Sequence, residues 1–211
     1  MIIIDLTKCT GCRRCETVCA FYHTGKVSNR IARIKVVNLY ENGLDGPVVC
    51  QQCEERYCLQ CPVDAISIGS LGQVIIAPTI CTLCRTCERN CPIGAIEQFN
   101  AFIYVCDLCG GRPKCVEACT EGAIIYVHPA PKVSLAGFHQ QTKNMTPSEK
   151  RRLFIEHHGI ALRKQWENKN HANRLSFSEE ASSVLPLRAP EKSEKTMEEK
   201  TCRDTTTKEE F

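Results

Sequence analysis

Short apolar runs separated by Gly, Pro and Cys mark the first 130 residues of the chain. Runs of this length, rich in Ile, Val, Phe and Tyr, read as short β-strands. They fall at residues 2–4, 31–39, 66–68, 73–76, 96–99, 102–105 and 124–127. The pattern changes after residue 130. Pro129 and Pro131 mark a loop, and Thr146-Pro147-Ser148-Glu149 then predicts a helix start. Thr146 caps, Pro147 takes the first helical position and Glu149 closes a capping box. The helix is expected to run to His158, break near Gly159 and resume to Trp166. From about Ala172 the chain is rich in Ser, Glu, Lys and Thr, which predicts disorder. Two domains follow: 1–130, and an extension 131–211 with a docking helix at about 147–168. No apolar run approaches the length needed to cross a bilayer.

Charge narrows the partners. The net charge of +3 lies wholly in the extension, because residues 1–130 hold 12 basic and 12 acidic side chains. A nucleic-acid footprint needs a clustered basic excess, so that class of partner is excluded. Cysteine changes the picture more. The chain has 17 Cys in 211 residues, and sixteen of them lie between Cys9 and Cys119. Such a density means a disulfide framework or metal sites, and the compartment separates the two. The first residues show no basic n-region and no long apolar h-region. A reducing cytoplasm is therefore the expected compartment, although a signal-bearing partner can carry a folded subunit out of it.

The sixteen cysteines form four quartets. Cys9, Cys12, Cys15 and Cys19 are spaced C-x2-C-x2-C-x3-C, and Cys81, Cys84, Cys87 and Cys91 repeat that spacing. Cys50, Cys53, Cys58 and Cys61 carry gaps of two, four and two residues; Cys106, Cys109, Cys115 and Cys119 carry gaps of two, five and three. Three quartets end in related phrases: Cys-Pro-Val-Asp-Ala-Ile (61–66), Cys-Pro-Ile-Gly-Ala-Ile (91–96) and Cys-Thr-Glu-Gly-Ala-Ile (119–124). Short helical turns fit between the third and fourth Cys of a quartet. The C-x2-C-x2-C-x3-C run suits a [4Fe–4S] cubane: three close thiolates wrap three iron corners while loop N–H groups face the sulfurs. The fourth Cys turns away and reaches a neighbouring cluster, so the quartets are expected to work in reciprocal pairs. The competing reading is four zinc sites, but zinc usually joins two separated knuckles and does not need so dense a run. Disulfides at these spacings would close strained small loops.

These motifs resemble the four-cluster polyferredoxin subunits of multi-subunit oxidoreductases, a family that includes iron–sulfur subunits of dimethyl sulfoxide reductase, formate dehydrogenase, hydrogenases and carbon monoxide dehydrogenases. The resemblance spans residues 2–127. It implies an α+β fold of two fused bacterial-ferredoxin-like modules, with short strands and helices around four [4Fe–4S] clusters. A partly helical, partly disordered C-terminal tail would follow. It also implies four ligand sets: Cys9, Cys12 and Cys15 with Cys119; Cys106, Cys109 and Cys115 with Cys19; Cys50, Cys53 and Cys58 with Cys91; and Cys81, Cys84 and Cys87 with Cys61. Cys-Ala-Phe-Tyr-His-Thr-Gly (19–25), Ala-Arg-Ile-Lys-Val (32–36) and Cys-Asp-Leu-Cys-Gly-Gly-Arg-Pro-Lys-Cys (106–115) look like the small ferredoxin subunits of tungsten-containing aldehyde oxidoreductases and their aromatic-ring-reducing relatives. The chain departs from the family at Ala20 and Thr120, where Pro often stands, and in having two residues rather than three between Cys58 and Cys61.

No candidate catalytic base, nucleophile, phosphate loop or Rossmann fingerprint appears, so the chain is not expected to be an enzyme. The resemblance implies an electron-transfer subunit. Its partners would be a catalytic subunit of tungsten, molybdenum or nickel type and a second electron carrier or flavin subunit. The alternatives are a hydrogenase or carbon monoxide dehydrogenase partner, a zinc-bound adaptor and a stand-alone ferredoxin. His23 is expected to be a packed polar loop residue rather than a donor to a cluster sulfur. Arg13, Arg14 and Arg85 either offset cluster charge or are solvated. Pro62 and Pro92 redirect the chain and shield clusters. Cys202 is expected to be a free thiol. Leu153, Phe154, Ile155 and Trp166 form an apolar face expected to dock on a partner subunit.

Overall fold

The computed structural model describes residues 1–180. The elements are short, as the apolar runs require, and the fold is α+β. Among the described residues, eight strands pair into four separate two-stranded antiparallel ribbons. β1 (Ile2–Ile4) pairs with β8 (Ile124–Tyr126), which joins the two ends of the cysteine-bearing segment. The Met1 ammonium extends that ladder by donating to the Val127 carbonyl at 2.7 Å. β2 (Lys35–Leu39) and β3 (Leu44–Val48) form a hairpin, as do β4 (Ile66–Ile68) with β5 (Val74–Ile76) and β6 (Glu97–Phe99) with β7 (Phe102–Tyr104).

β3 was not legible as a strand, because Leu-Asp-Gly-Pro-Val lacks apolar alternation and carries Pro47. A two-stranded ribbon has only edges, where Pro is tolerated. Residues 31–34 precede the ladder instead of joining it.

Helical turns lie where the third Cys of each quartet requires them. α1 (Arg14–Thr24), α2 (Thr86–Asn90) and α3 (Lys114–Glu117) carry Cys15, Cys87 and Cys115. Cys58 lies in a 3₁₀ turn, Tyr57–Leu59.

Two apolar cores result. One gathers Ile2, Ala20, Ile34, Val36, Val49, Leu108 and Ile124 around Cys15, Cys19 and Cys115. The other gathers Leu39, Leu44, Val48, Val74, Ile93, Ile96 and Val105 around Cys58, Cys87 and Cys91, and it also takes in Leu135 and Ile155.

Ile155 corrects the expected docking face. It is 1% exposed inside the chain's own core, and Phe154 packs on Phe138 with ring centroids 5.4 Å apart. These side chains come from α4 (Ala136–Gln141) and α5 (Pro147–Glu180). Met1–His171 forms one compact unit, so residues 131–171 group with the cysteine-bearing segment; Ala172–Phe211 forms a second unit.

The capping box forms as predicted: the Thr146 N–H donates to Glu149 Oε2 at 2.7 Å, and the Glu149 N–H donates to Thr146 Oγ1 at 3.4 Å. α5 does not break at Gly159, and it continues beyond Ala172 to Glu180 where disorder was expected. Gly159 serves close packing, since a Cβ there would meet Leu44 Cδ2 at 2.0 Å. The side chain of Trp166 and the whole of Cys202 lie outside the described residues.

Candidate metal centres

The same backbone device recurs in all four quartets. The residue just before the second Cys is left-handed each time: Gly11 (φ 67°), Gln52 (φ 48°), Leu83 (φ 58°) and Leu108 (φ 59°). Only Gly adopts this conformation freely, and each other residue costs ~1–2 kcal/mol. What the turn gains is direction. A left-handed residue within such a loop makes successive N–H groups converge on one point, a nest for an anion. The N–H groups of Gly11, Gln52 and Leu108 face the first thiols of their quartets, Cys9, Cys50 and Cys106. Arg13, Arg56 and Arg85 are left-handed too, and each starts the helical turn that delivers the third Cys.

Burial raises the pKa of most described thiols, and the neighbouring thiols that add to the rise show which lie together. Cys9 is raised by burial, then by Asp45, Cys12 and Cys119. Burial and then Glu16, Cys115 and Cys9 raise Cys15. Cys115 is pushed up to about 12 by burial, with Cys19 and Cys109 adding to it. Cys50 is pushed up to about 12 by burial, then by Cys91, Cys58 and Cys53. Cys58 reaches about 11 through burial, Cys91 and Cys53. Cys87 reaches about 12 through burial, Cys81, Cys58 and Cys61. Cys84 goes the other way, lowered by its hydrogen bond with the Thr86 hydroxyl at 3.3 Å.

Two cavities carry the same message. One is lined by Cys19, Cys106, Cys109 and Cys115. The other is lined by Cys50, Cys53, Cys58 and Cys91. Each brings three thiols of one quartet to the fourth thiol of a distant quartet. Cys19 accepts the Arg33 N–H and Cys91 accepts the Ala95 N–H, both at 3.3 Å. Across quartets, Cys115 adds to the rise at Cys15, Cys50 to that at Cys106 and Cys58 to that at Cys87. Buried thiols at such raised pKa values stay protonated near neutrality unless a cation draws off the proton, so the donor set fits a bound thiophilic metal group.

Side chains that sequence reasoning underrated surround these groups. His23 lies in α1 and not in a loop. Its Nε2 is 3.6 Å from Cys109 Sγ and 3.4 Å from Asp107 Oδ1, and Arg33 pairs with Asp107 at 2.5 Å. Burial first, then Arg33, holds its pKa below the ordinary value.

Lys150 is 1% exposed and donates to the carbonyls of Arg89 (2.6 Å), Cys91 (3.0 Å) and Glu88 (3.5 Å). Arg151 donates to the Gly94 carbonyl at 2.9 Å and pairs with Glu97 at 3.2 Å. Glu16 is buried and accepts the Val36 N–H at 2.7 Å, which ties α1 to β2. Nothing in the sequence marked Lys150, since a Lys beside a capping box is ordinarily solvated. Pro92 is buried and lines the Cys91 cavity, while Pro62 is exposed. Among the described residues no helix is long and apolar enough to cross a membrane.

Comparison with known proteins agrees with this chemistry. Residues 1–24 match the 4Fe-4S binding domain family. The polyferredoxin-like subunit of an aliphatic sulfonate oxidoreductase from Pyrococcus furiosus is 35% identical over 155 residues, covering 71% of this chain and 87% of that protein. The putative electron transport protein YsaA of Escherichia coli is 39% identical over 138 residues, covering 58% of this chain and 86% of that one. Among solved structures, the active site complex BamBC of benzoyl coenzyme A reductase matches at 26% identity and a TM-score of 0.36, over 59% of this chain and 74% of that one. The chain belongs to the polyferredoxin-like family of iron–sulfur electron-transfer subunits of oxidoreductase complexes.

Proposed function

We propose that this subunit is a four-cluster electron wire. The observation that carries the reading is the pair of cavities in which a distant fourth thiol completes each set: Cys19 with Cys106, Cys109 and Cys115, and Cys91 with Cys50, Cys53 and Cys58. By the same logic Cys119 completes Cys9, Cys12 and Cys15, and Cys61 completes Cys81, Cys84 and Cys87. When bound, each [4Fe–4S] cluster supplies a one-electron site. The chain holds the thiols, aims N–H groups at the sulfurs and excludes water with its two apolar cores. A row of such sites suits a subunit placed between a catalytic oxidoreductase partner, of tungsten, molybdenum or nickel type, and a second carrier or flavin subunit. Residues 1–130 supply all the ligands, and the extension braces them.

Anaerobic purification from the native host, with metal analysis and reduced-state EPR, tests this. About sixteen irons per chain are expected for four cubanes. Cys19→Ser and Cys91→Ser should each remove about four of them and one EPR component, from sets dominated by other quartets. Zinc near four per chain without a visible chromophore would overturn the wire. Co-eluting tungsten or molybdenum would identify the catalytic partner's metal.

A further inference from the structure

Among the sixteen described thiols only Cys12 and Cys84 are exposed. On the four-cluster reading these two belong to the terminal sets of the row, one at each end. Each end thus has one ligand open to a redox partner, while the middle sets face inner cavities. The two ends differ in charge. Near Cys12, Lys8 pairs with Asp5 at 3.1 Å and Arg13 pairs with Glu16 at 3.3 Å, so that among the described residues there Arg14, on the Thr120 hydroxyl at 3.3 Å, is the one exposed arginine without an ion pair. Asp45 lies against Gly11. Near Cys84, Arg85 and Arg89 are both exposed, and among the described residues neither forms an ion pair. Arg85 donates to the neutral Gln98 side chain, and Arg89 donates to the Cys84 carbonyl and the Thr86 hydroxyl. The nearby Glu88 carboxylate is taken by the Gln98 N–H.

The Cys84 end also has apolar relief. A groove of about 540 Å³ runs from Cys81 and Leu83 between the β4–β5 and β6–β7 hairpins to Arg33, Asp107 and Gly110. Ile75 and Phe102 line it while remaining 43% and 59% exposed, and Ile80 beside Cys81 is 52% exposed. Arg85 touches the β6–β7 hairpin through Gln98, so the charged rim and the apolar floor are contiguous. An exposed apolar strip edged by unpaired cations is the form of a docking face.

We infer that the Cys84 end is the docking port for an acidic one-electron carrier protein. Arg85 and Arg89 steer its carboxylate rim, and the Ile75–Phe102 groove seats its apolar centre. The carrier is oxidised by one electron as this chain is reduced by one, or the reverse. The inference rests on the four-cluster reading.

The test measures binding of a small acidic plant-type [2Fe–2S] ferredoxin to the iron-loaded protein by biolayer interferometry, at low and high ionic strength. Wild type should bind at low salt and weaken steeply as salt rises. Arg85→Glu with Arg89→Glu should weaken low-salt binding ~10–100-fold, and Lys at both positions should largely restore it. Lys8→Glu with Arg14→Glu, at the other end, should leave binding unchanged. Hydrogen exchange of the wild-type complex provides a readout that needs no variant: protection should appear at residues 80–89 and not at 9–15. Absence of wild-type binding at low salt, equal loss from both double variants, or protection at 9–15 would overturn the port. Iron content of the same samples separates the causes. A full iron complement with no port effect defeats the port alone, whereas an iron-poor wild type defeats the port and the wire together.

Discussion

The two apolar cores house similar thiols but are closed by different means. The core around Ile2, Ile34, Leu108 and Ile124 is closed by a backbone ladder, β1 with β8. The core around Leu39, Val74, Ile93 and Ile96 is closed by the extension, through Leu135 and Ile155. The β2–β3 hairpin is the shared wall, sending Val36 to the first and Leu39, Leu44 and Val48 to the second. Thus one spacing of cysteines tolerates two solutions to the problem of a small interior. A ribbon of three residue pairs suffices where the two ends of the cysteine-bearing segment meet, and a helix is recruited where they do not. The difference also explains why an extension without patterned Cys belongs to the metal-binding unit: its Leu135 and Ile155 close the core that holds Cys58, Cys87 and Cys91.

Iron removal should break the comparison most strongly. Without metal, the left-handed loops keep their ~1–2 kcal/mol costs and the buried thiols lose their cation. Among the described residues, none from the extension packs into the ladder-closed core. The helix-braced core retains Ile155, Lys150 and Arg151. Hydrogen exchange after anaerobic chelation should show protection at Ile2–Ile4 falling ~10-fold more than at residues 93–96. Equal loss on both sides would mean that the extension is no brace.

Ile155→Ala attacks the brace directly. It removes buried methyl groups from a side chain that is 1% exposed. The expected cost is about 3 kcal/mol, seen as faster bleaching of the visible chromophore in guanidinium. Ile124→Ala in the ladder-closed core should cost a similar amount but bleach the other pair of sets, which site-resolved EPR would distinguish.

How much of this was legible before the fold was known follows the range of each interaction. The Cys quartets, the helical turns at their third Cys and the Thr146–Glu149 capping box depend on residues within a few positions, and all were readable. Six of the seven apolar runs matched strands, because short β-ribbons alternate locally. The seventh, 31–39, was read too long, and β3 was missed because its Pro and Gly hide a strand that only its partner reveals. Gly159 read as a break because its packing partner, Leu44, lies far away in sequence. Ile155 looked like a docking surface for the same reason. His23 was discounted because Cys109, which it touches, is 86 residues away.

Lys150→Met is expected to have the next largest effect. The ammonium serves three carbonyls at the end of α2 and beside Cys91, and methionine fills the stem while leaving those acceptors bare. Unmet buried carbonyls cost ~1–3 kcal/mol each at most, and local relaxation should hold the total to about 2–3 kcal/mol. Lys150 also places a positive charge beside one fourth-position thiol and not the other. The EPR signal and potential of the Cys91 set should therefore move in Lys150→Met, while those of the Cys19 set stay in place. Movement of both would show that the cores are not separable.

The smallest effect sharpens the comparison furthest. Cys19 and Cys91 each accept a backbone N–H at 3.3 Å, from Arg33 and Ala95, so both inner sets have backbone donors at their fourth ligands. Among the described residues, an imidazole meets one of these two sets alone, with His23 Nε2 at 3.6 Å from Cys109 Sγ. Among the described residues, the hydrogen bonds at Cys50, Cys53, Cys58 and Cys91 come from backbone donors alone. With Nε2 protonated, the ring is a donor shared between Cys109 Sγ and Asp107 Oδ1, the latter at 3.4 Å. A donor to a cluster thiolate stabilises the reduced form. Its loss in His23→Phe, taken as ~1 kcal/mol, lowers a one-electron potential by about 40 mV. His23→Gln keeps a donor and should recover part of the shift. Redox titration followed by EPR reads both, and the Cys91 set in the same sample is the internal reference. A shift confined to one signal ties the asymmetry of the two cores to the energetics of the wire, whereas no shift would leave His23 as packing alone.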